Sequence, residues 1–286
     1  MEQKLKIAVQ KSGRLHDSSI KIIKECGLTI DNGSNKLKAP ITNFPAELLM
    51  LRDDDIPQYV ADGVADIGIV GENVIIEKSK PVEIREKLGF AGCRLSMAIP
   101  KSENYTVIEY FTDKRIATSY PVIVQKYLDE NGIRAEIHEI NGSVEIAPGI
   151  GLADVVCDIV SSGSTLFSNG LKEVETVLKS EAVLISTHNL SDEKTSILDR
   201  LIFRIRAVRN AKNNKYILLN APNDSIENIK AILPGMKSPT VMPLADEGWS
   251  SLHSVVNENE FWDKIDQLQK LGAQGILVIP IEKMIV

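Results

Sequence analysis

Residues 153–166, Ala-Asp-Val-Val-Cys-Asp-Ile-Val-Ser-Ser-Gly-Ser-Thr-Leu, constrain the fold more than any other stretch of the chain. Residues 155–160 form an apolar, β-branched run interrupted by Asp158, the pattern of a buried strand running out to a surface. Residues 161–165 make a small-residue turn in which Gly163 frees the backbone and every other member carries a hydroxyl. A short helix starts near Leu166. A strand, a Gly/Ser/Thr loop and a helix N-terminus together aim backbone N–H groups and a favourable dipole at one point, an arrangement suited to phosphate. Asp154 and Asp158 stand just before that loop. A carboxylate beside a phosphate repels it unless it holds a cation such as Mg²⁺ or the hydroxyls of a sugar, so phosphate plus ribose is the sharper reading. An ordinary solvated turn is the competing one. The Gly-Lys-Ser/Thr ending of a Walker loop is missing, which argues against a nucleotide hydrolase.

The strand–loop–helix unit recurs along the chain. Residues 5–10 read as a strand, Lys11-Ser12-Gly13-Arg14 as a turn presenting cations and amides to an anion, and residues 18–26 as an amphipathic helix stopped by Gly27. Residues 47–52 form a strand leading into Asp53, Asp54 and Asp55, acids that offset a helix dipole and are read as structural. Residues 64–71 are almost wholly apolar, a strand buried on both faces, with Gly68 and Gly71 permitting close approach of a ligand or backbone. Residues 93–100 form a strand carrying Arg94, which needs a carboxylate or a phosphate as partner. Strands follow at 115–119, 135–140 and 182–187, a helix at 121–131, and a turn into a short helix bearing Glu145 at 142–146. The repetition predicts α/β domains with mainly parallel sheets and a boundary near Pro100.

Residues 191–213 carry Ile197, Leu198, Leu201, Ile202, Ile205 and Val208 at helical period, and the polar 210–215 segment reads as a linker. Beyond it, strand 216–220, helix 224–233, strands 240–244 and 251–257, helix 258–271 and strand 275–280 give the β-α-β-β-α-β order of a ferredoxin-like domain.

The chain has 286 residues, enough for about two domains with substantial cores. Its formal net charge of −6 argues against a general nucleic-acid binder, so an anionic substrate must be captured by local cations and loop amides. The N-terminus runs straight into a strand and no apolar run approaches membrane-spanning length, so no membrane partner is expected. Cys26, Cys93 and Cys157 are scattered and fit neither a disulfide framework nor a metal knuckle, which favours a reducing cytoplasm. The four histidines are equally dispersed.

The loop at 161–165 resembles the 5-phosphoribosyl-1-pyrophosphate (PRPP) loop of phosphoribosyltransferases. It departs from the commonest form, which has adjacent acids and a Thr-Gly-x-Thr turn, in having the single acid Asp158 and Ser162 in place of the first Thr. The motifs at 11–15 (Lys-Ser-Gly-Arg-Leu), 52–57 (Arg-Asp-Asp-Asp-Ile-Pro), 66–73 (Asp-Ile-Gly-Ile-Val-Gly-Glu-Asn), 93–96 (Cys-Arg-Leu-Ser), 115–121 (Arg-Ile-Ala-Thr-Ser-Tyr-Pro) and 141–145 (Asn-Gly-Ser-Val-Glu) resemble, in this order and essentially end to end, the long, histidine-regulated form of ATP phosphoribosyltransferase.

That resemblance implies an α/β fold with a two-lobed, periplasmic-binding-protein-like catalytic part and a C-terminal ferredoxin-like (ACT-like) regulatory domain. The expected layout is residues 1–100 plus 187–212 as catalytic domain I, 101–186 as catalytic domain II with the PRPP loop, and 213–286 as the regulatory domain. It implies Mg²⁺-dependent conversion of ATP and PRPP to N1-(5-phosphoribosyl)-ATP and pyrophosphate, the first step of histidine biosynthesis, with histidine as inhibitor and assembly into dimers and hexamers. The implied catalytic residues are Lys11, Arg14, Asp154 and Asp158, the two acids also being candidate Mg²⁺ ligands. Ser161, Ser162, Gly163, Ser164 and Thr165 would take PRPP. Gly13, Leu15, Asp66, Gly68, Gly71, Arg94, Leu95, Thr118, Ser119, Tyr120 and Glu145 would line the nucleotide site. Asn220, Ser238, Thr240 and Gly275 would lie near the histidine pocket. The rival readings are a phosphoribosyltransferase with another acceptor and a non-catalytic solute-binding protein of the same two-lobed shape.

Overall fold

The computed structural model describes residues 3–31, 37–161 and 163–286. The chain divides into two compact units, Met1–Asp199 and Arg200–Val286. The first opens with β1 (Leu5–Gln10), α1 (Arg14–Glu25), β2 (Lys38–Pro40), β3 (Ala46–Leu51), α2 (Ile56–Ala61), β4 (Ile67–Gly71), α3 (Glu72–Lys78) and β5 (Glu83–Lys87). It continues through β6 (Cys93–Pro100), β7 (Arg115–Thr118), α4 (Pro121–Glu130), β8 (Glu136–Glu139), β9 (Val155–Val160), α5 (Ser164–Ser168), β10 (Leu171–Ser180) and β11 (Ala182–Ser186).

Two sheets result. One has the order β2-β3-β1-β4-β11-β5 and the other β10-β6-β9-β7-β8. In the first, β1 runs parallel to β3 and β4, while β11 is antiparallel to both β4 and β5. In the second, β7 runs parallel to β8 and β9, while β6 is antiparallel to β9 and β10. The sheets are thus mixed, not mainly parallel as the sequence suggested. The reason is the double crossing of the chain: it leaves the first sheet after β5 and returns at β11, and each strand at a crossing meets its new sheet against the local direction. The two crossing segments pair with each other, the Leu88 N–H bonding the Ala182 carbonyl at 2.9 Å and the Ala182 N–H the Phe90 carbonyl at 3.0 Å.

Sheet membership moves the lobe boundary. The strand Cys93–Pro100 belongs to the second lobe and Ala182–Ser186 to the first, so the chain crosses near residues 88–92 and 180–182 instead of at 100 and 186. The second lobe is packed on both faces. Leu95, Met97, Ile99, Phe111, Val124, Leu128, Val155 and Cys157 fill the face under α4. Ala98, Ala117, Val144, Ala147, Val156, Val160 and Leu166 fill the other. Alternate residues of β6 and β9 supply the two sides, as the period of two requires.

Helix α6 (Asp192–Lys212) starts in the first unit and from Arg200 belongs to the second, so only its opening turns sit where the whole of 187–212 was expected. It is followed after a single residue by β12 (Asn214–Pro222), leaving no linker at 210–215. The rest of the second unit is α7 (Ile226–Ile232), β13 (Thr240–Pro243), β14 (Trp249–Asn257), α8 (Glu258–Lys270) and β15 (Gln274–Pro280). The antiparallel order β13-β14-β12-β15 is the ferredoxin-like arrangement, with Ile217, Leu219, Leu252, Ile229, Phe261 and Leu268 at its core.

Candidate functional site

Within the first unit the C-terminal ends of the parallel strands converge on one cleft between the lobes. From the first lobe β1 delivers Lys11 to Arg14 and β3 delivers the Asp53–Asp55 turn. From the second, β7 delivers Ser119 and Tyr120, β8 delivers Asn141, and β9 delivers the 161–165 loop. Carboxyl ends of parallel strands are where open α/β sheets place ligands.

Contact across the cleft is direct. Arg14, the first residue of α1, donates from Nη1 to the Ser161 hydroxyl at 3.5 Å. Gly13 precedes that helix with φ +96°, a value costly for any side chain, so the turn that aims Arg14 needs glycine. Lys11 is exposed at the end of β1, its N–H bonded to the Leu51 carbonyl at 2.8 Å. Leu15 is half-buried in α1. Gly163 enters α5 with φ +78°, again in the left-handed region. Ser161, Ser164 and Thr165 are exposed, and Ser162 lies outside the described residues.

Asp158 faces the same side of β9 as Val156 and Val160, towards Glu145 in the single 3₁₀ turn Val144–Ile146. Burial first, and the Glu145 charge second, push its carboxyl above the ordinary range, against the 2.7 Å bond it accepts from the Ile159 N–H. Tyr120 lies beside it. Burial raises the Tyr120 phenol well above its usual value, and the charges of Asp158, Asp54 and Asp53 add to this, so the hydroxyl stays protonated. The acids at 53 and 54, read from sequence as structural, therefore face the cleft. Asp54 lines a cavity of about 240 Å³ with Glu77, Lys78, Ser119, Tyr120, Glu139 and Asn141. The Ser119 hydroxyl ties the ends of β7 and β8 together through the Ile140 carbonyl at 2.6 Å. Thr118 is fully buried and its hydroxyl accepts from the Tyr120 N–H at 3.0 Å, shaping the turn instead of meeting a ligand.

Sequence reasoning also missed Glu77. This α3 residue reaches across the cleft to accept from the N–H groups of Val122 (3.1 Å) and Ile123 (3.0 Å), capping α4 of the opposite lobe. The pair lies 45 residues apart in sequence, with no local signal linking them.

The match to known proteins is extensive. The family model described as ATP phosphoribosyltransferase matches residues 52–207, and the model for the C-terminal domain of the same family matches residues 211–283. An ATP phosphoribosyltransferase of Cytophaga hutchinsonii is 60% identical over 285 residues, covering all of both chains. One from Bacteroides thetaiotaomicron is 57% identical over 282 residues, 99% of this chain and all of that one. This chain belongs to the ATP phosphoribosyltransferase family. Among solved structures, the ATP phosphoribosyltransferase (HisG:HisZ) complex from Thermotoga maritima aligns with a TM-score of 0.59 at 28% identity, over 70% of this chain and 98% of that one. A periplasmic sulfonate-binding protein from Methylobacillus flagellatus aligns at 0.51 and 16% identity over 71% of this chain, a likeness of fold alone.

Within this family member, four expected site residues fall elsewhere. Asp154 stands before β9, at the opposite end of the strand from the loop. It pairs with Arg115, accepting from Nη2 at 3.0 Å, Nε at 3.3 Å and the backbone N–H at 3.0 Å. Those bonds hold its carboxyl below the ordinary range. Asp66 precedes β4 at the corresponding far end of the first sheet, buried against the Lys194 ammonium at 2.7 Å and the Lys6 N–H at 2.8 Å. Leu95 is fully buried in the core under α4. Gly68 serves packing: a Cβ there would lie 2.6 Å from Ile56 Cγ2 and 3.2 Å from Val60 Cγ2, so the glycine lets α2 sit close on β4. Gly68→Val is expected to cost about 1–3 kcal/mol through overpacking. Thermal unfolding checks it, and an unchanged Tm would return Gly68 to the list of ligand contacts. Gly71, by contrast, ends β4 at the cleft, where it makes room for the Asn73 side chain. Arg94 has found the carboxylate its strand position called for, in Glu173.

In the second unit Asn220 and Gly275 come together, the Asn220 amide nitrogen lying 3.5 Å from where a Gly275 Cβ would be. Thr240 is paired with His253 on the other side of the sheet, and Ser238 is exposed just before β13. With strands about 4.8 Å apart, β13 and β15 are separated by three spacings.

Among the described residues no helix is long and apolar enough to cross a membrane.

Proposed function

We propose that this chain joins the 5-phosphoribosyl group of PRPP to N1 of the adenine of ATP, with pyrophosphate leaving, as its family membership implies. The observation that carries the assignment of parts is the Arg14–Ser161 contact, which places a guanidinium from one lobe against the hydroxyl loop of the other.

The adenine N1 lone pair forms the bond to ribose C1′ as the C1′–O bond to pyrophosphate breaks, and the leaving group takes that electron pair. N1 carries no proton, so bond formation needs no strong base; a proton is lost from the adenine only afterwards. This suits a cleft whose titratable groups are carboxylates, cations, a tyrosine kept neutral and the Cys93 thiol, which burial also holds protonated. Closing two lobes on the two substrates supplies positioning, which removes an entropic barrier. Ser161, Ser164, Thr165 and the loop amides take the 5′-phosphate, while Lys11 and Arg14 meet the charge of the departing pyrophosphate. Asp158, on the strand leading into that loop, stands beside the ribose, where its carboxylate binds hydroxyls and offsets the developing oxocarbenium charge.

Mg²⁺ would be carried by the pyrophosphate group of PRPP. Among the described residues no three His, Cys, Asp or Glu gather into a cage. The two neighbouring carboxylates Asp158 and Glu145 fit an ion that keeps water and substrate oxygens and takes only one or two ligands from protein. When bound, the ion neutralises the leaving group. Asp154, committed to Arg115, is no part of this set.

For the second unit we propose histidine binding, with Asn220 and Gly275 as the paired contacts and Ser238 and Thr240 on the opposite side of the sheet, and homo-oligomeric assembly. The test of the whole is mass detection of N1-(5-phosphoribosyl)-ATP after mixing protein, Mg²⁺, ATP and PRPP, with and without histidine. Product suppressed by histidine supports both units' roles. Product indifferent to histidine removes the sensory role, and absence of product with pyrophosphatase present removes the reaction.

A further inference from the structure

Arg94 and Ser96 are two apart on β6, so their side chains share one face of the second lobe's sheet. Across the antiparallel pairing Ser96 faces Asp158 and Arg94 faces Val160, the last residue before the hydroxyl loop. On the other flank lies β10, whose register slips between Glu173 and Glu175. Bulges of this kind re-aim a side chain, and here the chain presents Glu173 to both β6 residues. Glu173 Oε1 accepts from Arg94 Nε at 2.5 Å and from the Ser96 hydroxyl at 2.8 Å, and Oε2 accepts from Arg94 Nη2 at 2.5 Å.

This geometry uses only one edge of the guanidinium. Five N–H donors surround the plane, and the Nε–Nη2 edge is spent on the carboxylate. The Nη1–Nη2 edge, spaced for two oxygens of a phosphate, is taken by no acceptor among the described residues. The Arg94 and Glu173 side chains remain partly open to solvent, at 35% and 27% exposure. The strand position of Arg94, opposite Val160, is next to the residue at which the loop begins. The hydrogen bond from Arg94 holds the Glu173 carboxyl below its ordinary range, so the clamp stays ionised at working pH.

We propose that Glu173, with Ser96, is a positioning residue that fixes the Arg94 guanidinium so that its free edge receives the 5′-phosphate of PRPP. This rests on the reading of residues 161–165 as the PRPP loop, and it moves Arg94 from the nucleotide half of the site to the phosphoribosyl half. A clamp of this kind adds no net charge, since Glu173 offsets Arg94. Its effect is to present a planar fork in one orientation to one ligand.

The experiment uses the full chain with Mg²⁺, varying each substrate at saturation of the other. Glu173→Gln is expected to raise KM for PRPP roughly tenfold and leave kcat and KM for ATP within about twofold. Ser96→Ala, which removes only the third contact, should raise the same KM less. Calorimetric titration with ribose 5-phosphate, which carries the 5′-phosphate alone, should show the same roughly tenfold weakening, while binding of pyrophosphate is unchanged. Arg94→Lys combined with Glu173→Gln should be no worse than Arg94→Lys alone, because both changes remove one interaction. Equal rises in both substrates' KM, or unaltered ribose 5-phosphate binding in folded Glu173→Gln, overturn the proposal. If Thr165→Val also leaves ribose 5-phosphate binding unaltered, the loop reading itself fails; if Thr165→Val weakens it and Glu173→Gln does not, only the positioning role fails.

Discussion

Asp158→Asn is expected to lower kcat by on the order of 100-fold while raising Tm. The first effect follows from removing a fixed charge next to the ribose as positive charge develops there, a loss comparable to deleting one preorganised electrostatic group. The second follows from linkage. Burial and Glu145 make the Asp158 carboxyl bind its proton more tightly in the folded chain than in the unfolded one. Its contribution to stability is thus fully present below the unfolded pKa and is lost as pH rises through the folded pKa. Asparagine removes that ionisation cost, so the gain in Tm should be largest at about pH 8 and vanish towards about pH 4.

Asp154, four residues earlier, should behave in the opposite sense. Its bonds from Arg115 depress the folded pKa, so its stabilisation is present above the unfolded pKa and lost as pH falls through the folded one. Asp154→Asn should lower Tm at neutral pH, converge on the parent in acid, and leave turnover per folded molecule within about twofold. A collapse of turnover in Asp154→Asn, or parent-like turnover in Asp158→Asn, would reverse the assignment of the two acids.

Arg14→Ala should reduce kcat/KM for PRPP by roughly 100- to 1,000-fold, the range seen when one donor to developing negative charge is deleted. The guanidinium is exposed and its one contact in the described structure is the 3.5 Å bond to Ser161, so Tm should barely move. Arg14→Lys should recover only part of the loss, because an ammonium keeps the charge but not the planar fork. Steady-state kinetics with PRPP varied, beside a thermal melt, decides this. PRPP kinetics equal to those of the parent would detach Arg14 from the leaving group.

Three strands are absent from the sequence reading, β2, β5 and β10, and the last two share a cause. Both are edge strands, and both carry the charges with which edges discourage further pairing: Glu83, Arg85, Glu86 and Lys87 on one, Lys172, Glu173, Glu175 and Lys179 on the other. Charged alternation hides a strand from any search for apolar period. Missing β10 also concealed Glu173, so Arg94 was left with a partner required but unnamed.

What could be read from residues alone was whatever a few neighbours settle. The run into Ser161 to Thr165, the turn at Gly13, the helical stripe from Ile197 to Val208 and the β-α-β-β-α-β order after residue 213 all rest on side-chain period and backbone freedom, properties local to the chain. Folding alone settled which residues meet. Asp154 and Asp158 look equivalent in sequence, yet at about 3.3 Å per residue four positions along a strand put them about 13 Å apart, one at the cleft and one behind it. Asp66 and Gly68 were drawn away from the ligand by Lys194, 128 residues distant, and by the helix that packs on β4. Glu77 capping α4, Glu173 clamping Arg94 and Asp53 and Asp54 facing Tyr120 join segments brought together only by the double crossing between lobes. Hydrogen bonds and charges act over a few ångströms of space, whatever the separation along the chain, and the sheet order is what turns one into the other.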